Sequence, residues 1–222
     1  MSRARGRHAG LTRQDILRAA VRLADRDGLA ALSMRRLGAE LGVEAMALYH
    51  HVPNKEALLD GMVEEVAAEV PVPRFTAAGW RNGMRRYALA LLDAVAAHPE
   101  LVPLALYRPA VTPRNLQTME DLLRGLHSAG FEPRQALDLV YALNGLVLVH
   151  AALRTGTGDA EPAARGEPGQ TTRLADLPTE TYPLLAEAAR GSARRGPTAR
   201  FKAAVDALLT GFAAALPEPP AP

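Results

Sequence analysis

The chain of 222 residues contains no cysteine. That excludes a disulfide framework, a thiolate nucleophile and any thiolate-held metal, and makes a reducing compartment the simpler setting. Long apolar runs are also missing. The longest uncharged, mostly apolar stretch is LVYALNGLVLVHAAL, residues 139–153, short of the roughly 18–20 residues that a membrane helix needs. The N-terminal MSRARGRHAGLTRQD has the arginines of a signal peptide but no apolar segment behind them. A soluble cytoplasmic protein without membrane association is expected. There is no Gly-rich phosphate loop, no H-E-x-x-H and no G-x-S-x-G, so no enzyme chemistry is indicated. No internal repeat is found.

Net charge is almost absent too, at +2 for the whole chain, but its distribution is uneven. Residues 1–36 hold nine Arg against three Asp, and the remainder is net negative. A basic N-terminal part on an acidic remainder suits a polyanion partner, although a solvated Arg-rich helix would look the same. With 48% hydrophobic residues the chain can bury a core.

Almost every segment between breakers has helical period. Thr12 is a candidate N-cap with Asp15 completing a capping box, and Leu17, Ala20, Val21 and Ala24 repeat on one face before Gly28. Ser33 can cap a short helix to residue 41, which carries Leu37 and Leu41 inward and Arg35 and Arg36 outward; Gly42 breaks it. A third short helix fits 44–50, and Asn54 caps a fourth running to about Val70. Further helices are expected near 77–97, 100–107, 114–129, 133–154, 179–190 and 198–215. Residues 155–178 are Gly- and Pro-rich and read as a loop; PEPPAP at 217–222 reads as a disordered tail. The expected fold is all-α. A three-helix helix-turn-helix unit with its arm (1–53) is followed by a connecting helix (54–70) and a larger helical body for ligand binding and dimerisation (71–216).

Two short helices joined by a Gly-containing turn form a helix-turn-helix, whose second helix enters the DNA major groove. Glu44, Ala45, Met46 and Ala47 would then meet base edges, with apolar groups suited to thymine methyls, and Tyr49, His50 and His51 could donate to phosphates or bases. Lys55, Arg35, Arg36 and the cap Ser33 would flank them on the backbone, and Arg3, Arg5 and Arg7 could add contacts. On residue type alone Tyr49 could equally be core. With six His and no third ligand at a recognisable spacing, no metal is expected.

The stretch DGLAALSMRRLGAELGVEAMALYHHVPNKEALLDGM resembles the DNA-binding region of the TetR family of transcriptional repressors, most specifically in ALYHHVPNKEALL, residues 47–59. The resemblance implies that Tyr49, His51 and Lys55 contact phosphates, that Ser33 and Arg35 contact DNA at the start of the second helix, and that Ala45, Met46 and Ala47 read bases. The segments LYRPAVTP, LHSAGFEPRQALDLVYALNGLVLVHAAL and ARFKAAVDALLTGF resemble the ligand-binding body of the family's tetracycline-responsive branch. There, His, Asn, Phe, Gln and Glu groups hold a magnesium–tetracycline complex. Tyr87, Leu91, Leu104 and Leu122 fall at several of those positions, with Gly156 near the acidic one and no counterpart to the metal-binding His. Such residues cannot satisfy a hard cation. A more apolar effector without cofactor is therefore expected, in a pocket lined from residues 84–150 that also draws on Tyr107, Asn144 and His150.

The helix at 133–154 is apolar all round its middle, and Phe201, Val205, Leu208, Leu209 and Phe212 form a stripe on the last helix, so both need cover. The resemblance implies a four-helix bundle between two subunits, hence a homodimer on a palindromic operator in double-stranded DNA, released by a small-molecule effector. An effector-free architectural DNA-binding protein is the rival reading, and would discriminate little between sequences.

Overall fold

The computed structural model describes residues 10–74, 76–108, 111–155, 174 and 176–216. The arm with Arg3, Arg5 and Arg7, Gly156, most of the 155–178 segment and the tail from 217 lie outside the described residues. The described residues are helical without strands, in two compact units, one within 1–157 and one within 158–222.

In the first unit, α1 (Arg13–Asp27) begins at the expected capping box: Asp15 N donates to Thr12 Oγ1 at 3.1 Å and Thr12 N donates to Asp15 Oδ2 at 3.0 Å. A bond donated by Thr12 Oγ1 to Asp15 Oδ2 at 2.6 Å, together with that from Thr12 N, holds the Asp15 carboxyl below its ordinary pKa. The inner face of α1, with Ile16, Leu17, Ala20, Leu23 and Ala24 fully buried, packs on α2 (Met34–Leu41) and α4 (Lys55–Ala67). Between them stands α3 (Ala45–Tyr49), pinned by buried Leu48 and Val52. Each fully buried Leu or Ile contributes about 1.5–3 kcal/mol, so this small unit is held chiefly by its apolar interior.

The body of this unit contains α5 (Trp80–Ala97), α6 (Val102–Tyr107), α7 (Pro113–Ser128) and α8 (Pro133–Thr155). Packing of α8 on α5, α6 and α7 makes it the central helix of the body, while α4 touches α5, α6 and α7. Trp80 at the start of α5 meets Phe131 edge-on, centroids 4.7 Å apart, and locks α5 to the turn before α8. At 23 residues, α8 is long and apolar enough to cross a bilayer, longer than the run that sequence pattern marked out. Ala136, Leu139, Val140, Leu143, Val147 and Ala151 are nonetheless buried at helical spacing, which is the face of a core helix.

The second unit contains α9 (Pro183–Ala214), in which Gly196 takes φ 69° and Pro197 follows, so two helical segments meet at a break. That is where the sequence separates two helices. The first segment starts at Pro183 rather than 179, with proline in the first turn where its missing N–H costs nothing. Ala186, Ala189, Phe201, Val205 and Leu209 are buried along it.

Candidate DNA interface and ligand cavity

The geometry of α2 and α3 rests on two glycines. Gly42 closes α2 with φ 69°, the left-handed conformation that a turn between close helices requires. At Gly38 the helices nearly touch: a Cβ there would lie 2.9 Å from the Val43 carbonyl oxygen and 3.2 Å from Ala45 N. Ser33 Oγ accepts from Arg36 N at 3.2 Å, and Asn54 Oδ1 accepts from Ala57 N at 2.8 Å, so both flanking helices are capped as their sequences suggest.

This framework leaves the candidate DNA-contacting residues outside the core. Ser33, Arg35, Arg36, Glu44, Met46, Tyr49, His50, His51 and Lys55 are exposed, and Ala45 and Ala47 are half-buried. Met46 is 70% exposed on a five-residue helix, a position with no packing role. Tyr49 is 40% exposed, which removes the core alternative for it. The two arginines of α2 differ. Arg36 donates to Asp27 at 2.7 Å, within a cluster that includes Arg26 and Glu40, whereas Arg35 has no carboxylate partner among the described residues.

Helix α4 joins this surface to the body. Its carboxylates are gripped from two sides. Arg13 of α1 pairs with Glu64 at 3.4 Å and Arg18 with Glu65 at 3.2 Å; Arg114 of α7 also reaches Glu65, at 3.3 Å. Arg108, just beyond α6, pairs with Glu56 and with Asp60 at 2.6 Å in the first turns of α4. These carboxylates hold the Arg108 guanidinium above its ordinary pKa. His98 bridges Asp25 of α1 at 2.8 Å and Glu69, just past α4, at 3.4 Å. Partly exposed pairs of this kind are each worth about 0–1 kcal/mol. Their number on one helix matters more for its position than for stability.

Behind α4 lies a cavity of about 120 Å³. Val63, Val66, Ala67 and Val70 form one wall; Tyr87, Leu91 and Val95 of α5, Leu101, Val102 and Ala105 around α6, Asn115, Thr118, Met119 and Leu122 of α7, and Asn144 and Leu148 of α8 form the others, with His98. Among the described residues, no Asp, Glu, Lys or Arg lines it. Burial pushes the Tyr87 hydroxyl up to about 12, against a smaller opposing effect of the nearby Asn144 amide, so it is a neutral phenol at physiological pH. Among the described residues no group of three or more His, Asp or Glu could hold a metal.

The family profile described as "Bacterial regulatory proteins, tetR family" matches residues 16–62, and that described as "Tetracyclin repressor-like, C-terminal domain" matches residues 72–216. The chain belongs to the TetR family. It is 34% identical over 167 residues to the HTH-type transcriptional repressor DrrR1 of Streptomyces coeruleorubidus, an alignment covering 71% of this chain and 62% of that protein. It is 32% identical over 202 residues to the class A tetracycline repressor protein from transposon 1721 of Escherichia coli, covering 89% and 88% of the two chains. Among solved structures, the TetR-family protein ActR of Streptomyces coelicolor in complex with actinorhodin matches with a TM-score of 0.80 and 28% identity, over 95% of this chain and 99% of that one.

Within this TetR fold, the expected pocket set divides. Tyr87, Leu91, Leu122 and Asn144 line the cavity. Leu104, Tyr107 and His150 do not: Leu104 and His150 are half-buried elsewhere, and Tyr107 is 86% exposed. The reason is helical phase. With Leu101, Val102 and Ala105 facing the cavity, Leu104 and Tyr107 are turned away, and with Asn144 and Leu148 inward, His150 points about 200° from Leu148. His98, Asn115, Thr118 and Met119 lie within the expected 84–150 span without being singled out by the sequence, and the α4 wall lies outside it. The spacing of Asn115, Thr118, Met119 and Leu122, at i, i+3, i+4 and i+7, was the available signal for α7.

Proposed function

We propose that this TetR-family chain is a ligand-responsive transcriptional repressor. It acts in the cytoplasm as a homodimer on a palindromic operator, and a small, largely apolar effector releases it. The observation that carries this reading is the double role of α4. One helix supplies a wall of the cavity through Val63, Val66 and Ala67, and also bears the carboxylates tied to α1 of the DNA-binding unit. A ligand that fills the cavity beyond its present volume must move that wall, and it shifts the DNA-binding equilibrium by as much as it prefers the moved state.

In functional terms the chain divides into the arm and helix-turn-helix, residues 1–53, the connecting helix 54–70, and the effector and dimerisation body 71–216. Met46, Ala45 and Ala47 read bases with Glu44; Ser33, Arg35, Tyr49, His51 and Lys55 position the backbone, with His50 beside them. Arg36, engaged by Asp27, contributes least. A second copy of the chain is favoured by apolar surface left open on each unit. Tyr141, Val149 and Leu153 of α8 are exposed, and Ala207, Leu208, Gly211, Phe212 and Ala215 of α9 line an open groove. That DrrR1 and the class A protein are named repressors, and that ActR was solved with actinorhodin, supports ligand-controlled repression here. Such a regulator has no catalytic task. DNase I footprinting on DNA upstream of the gene tests the reading: protection of a two-fold symmetric segment, with half-sites one helical turn or a multiple apart, is expected. Unpatterned coverage of all DNA would favour the architectural alternative.

A further inference from the structure

The cavity behind α4 is apolar except for a small set of polar groups, among them His98 with its bonds to Asp25 and Glu69, and two of the others are unsatisfied. Asn115 is 8% exposed, lines the cavity, and its Nδ2 has no hydrogen-bond partner. Asn144, across on α8, lies beside the Tyr87 hydroxyl, and its Oδ1 is buried without a partner. A buried amide left half-paired costs free energy that leucine at the same place would not. Both lie in a cavity whose lining, among the described residues, holds no Asp, Glu, Lys or Arg side chain.

We propose that Asn115 and Asn144 are specificity residues for the effector, and that this effector is an uncharged molecule with a hydrocarbon body carrying a hydroxyl or a hydroxyl–carbonyl pair. This rests on the reading of the cavity as the effector site. An ionised ligand would leave water for a lining that offers, among the described residues, no Asp, Glu, Lys or Arg as counter-charge, and whose His98 is already engaged by Asp25 and Glu69. A bare hydrocarbon would fit the walls but leave both amides unsatisfied. A hydroxyl both donates and accepts, so it serves an amide in either of its two orientations. The volume of about 120 Å³ is near that of a cavity that holds a single aromatic ring. A larger body of the same chemistry has to displace the Val63, Val66 and Val70 wall. Discrimination of this kind follows a general asymmetry: sites built around buried polar groups reject the analogue that lacks their partner far more strongly than apolar pockets reject an added methylene.

The test uses the full chain with three probes of one skeleton: 1-naphthol, naphthalene and 1-naphthoate, each followed by the shift in thermal unfolding midpoint over a concentration series. The expected result is tightest binding for 1-naphthol, weaker for naphthalene, and none for 1-naphthoate. Asn115→Leu should cut the preference for naphthol over naphthalene by about tenfold, the scale of one lost hydrogen bond at roughly 1.4 kcal/mol per tenfold, while raising the midpoint of the ligand-free protein. Asn144→Leu should reduce the same preference independently. Equal affinity for naphthol and naphthalene, tighter binding of naphthoate, no binding of naphthol, or a preference unchanged in both variants would overturn the proposal. A parallel anisotropy titration with upstream DNA reports on the regulatory reading separately. Naphthol that binds through Asn115 yet leaves DNA affinity unchanged keeps the ligand chemistry and removes the repressor–effector link.

Discussion

A methyl group at residue 38 would sit against the Val43 carbonyl and the Ala45 backbone, neither of which can swing aside like a side chain. Gly38→Ala is therefore expected to destabilise the fold by about 1–3 kcal/mol and to weaken DNA binding beyond that, because the α2–α3 angle is what it disturbs. Urea denaturation and DNA titration of the same variant check both parts. On the exposed surface the effects should differ in kind. Lys55→Ala should weaken binding to every sequence and lower the salt slope by about one, while Met46→Lys should change base preference by about 1–3 kcal/mol at one position without affecting stability. Selection from a randomised duplex pool reads the second; an unchanged preference would mean that α3 is not the reading helix. Tyr87 gives a pH prediction. Its folded pKa of about 12 lies above the ordinary value of 10, so the contribution of its neutral phenol is complete below pH 10 and is lost as pH rises through 12. Tyr87→Phe should lack that alkaline loss when denaturation midpoints are compared between pH 8 and 12.

Helix boundaries were legible where short-range chemistry decides them. Thr12 with Asp15, Ser33, Asn54, Gly42 and the Gly196–Pro197 break all lie where their residue types suggest, because caps and breaks act over three or four residues. Helical phase in the body was less legible. The 3₁₀ turn Pro99–Leu101 precedes α6 and advances by three residues per turn instead of 3.6, which resets the facing side chains and turns Leu104 and Tyr107 away from the cavity. The cavity-facing part of α4 was hidden for a related reason: Leu58 and Met62 are fully buried in the core, and the same apolar stripe continues into Val63, Val66 and Ala67 at the cavity. Nor does the sequence announce that Arg108 reaches back some fifty residues to Glu56 and Asp60. As a partly exposed group it should matter little for stability. Arg108→Ala is expected to lower the unfolding midpoint by only a few degrees. It should nonetheless change operator affinity several-fold, since it frees the DNA-proximal turns of α4; a change in stability alone would reduce this contact to a surface ion pair.

For the whole molecule, the uneven charge and the two open apolar faces fit the proposed scheme, in which the basic N-terminal part meets DNA and a second copy covers the apolar surface. Leu208→Asp with Phe212→Asp should convert a dimer to a monomer by sedimentation velocity and abolish tight operator binding, because one half-site retains only part of the contacts. The measurement that bears most directly on the central claim is a fluorescence-anisotropy titration of the purified protein with DNA from upstream of its own gene, beside a scrambled duplex, at physiological salt. Saturable binding to the native DNA at least about a thousandfold tighter than to the scrambled one is the predicted result. Equal, weak and steeply salt-dependent binding to both duplexes would contradict sequence-specific repression at that site.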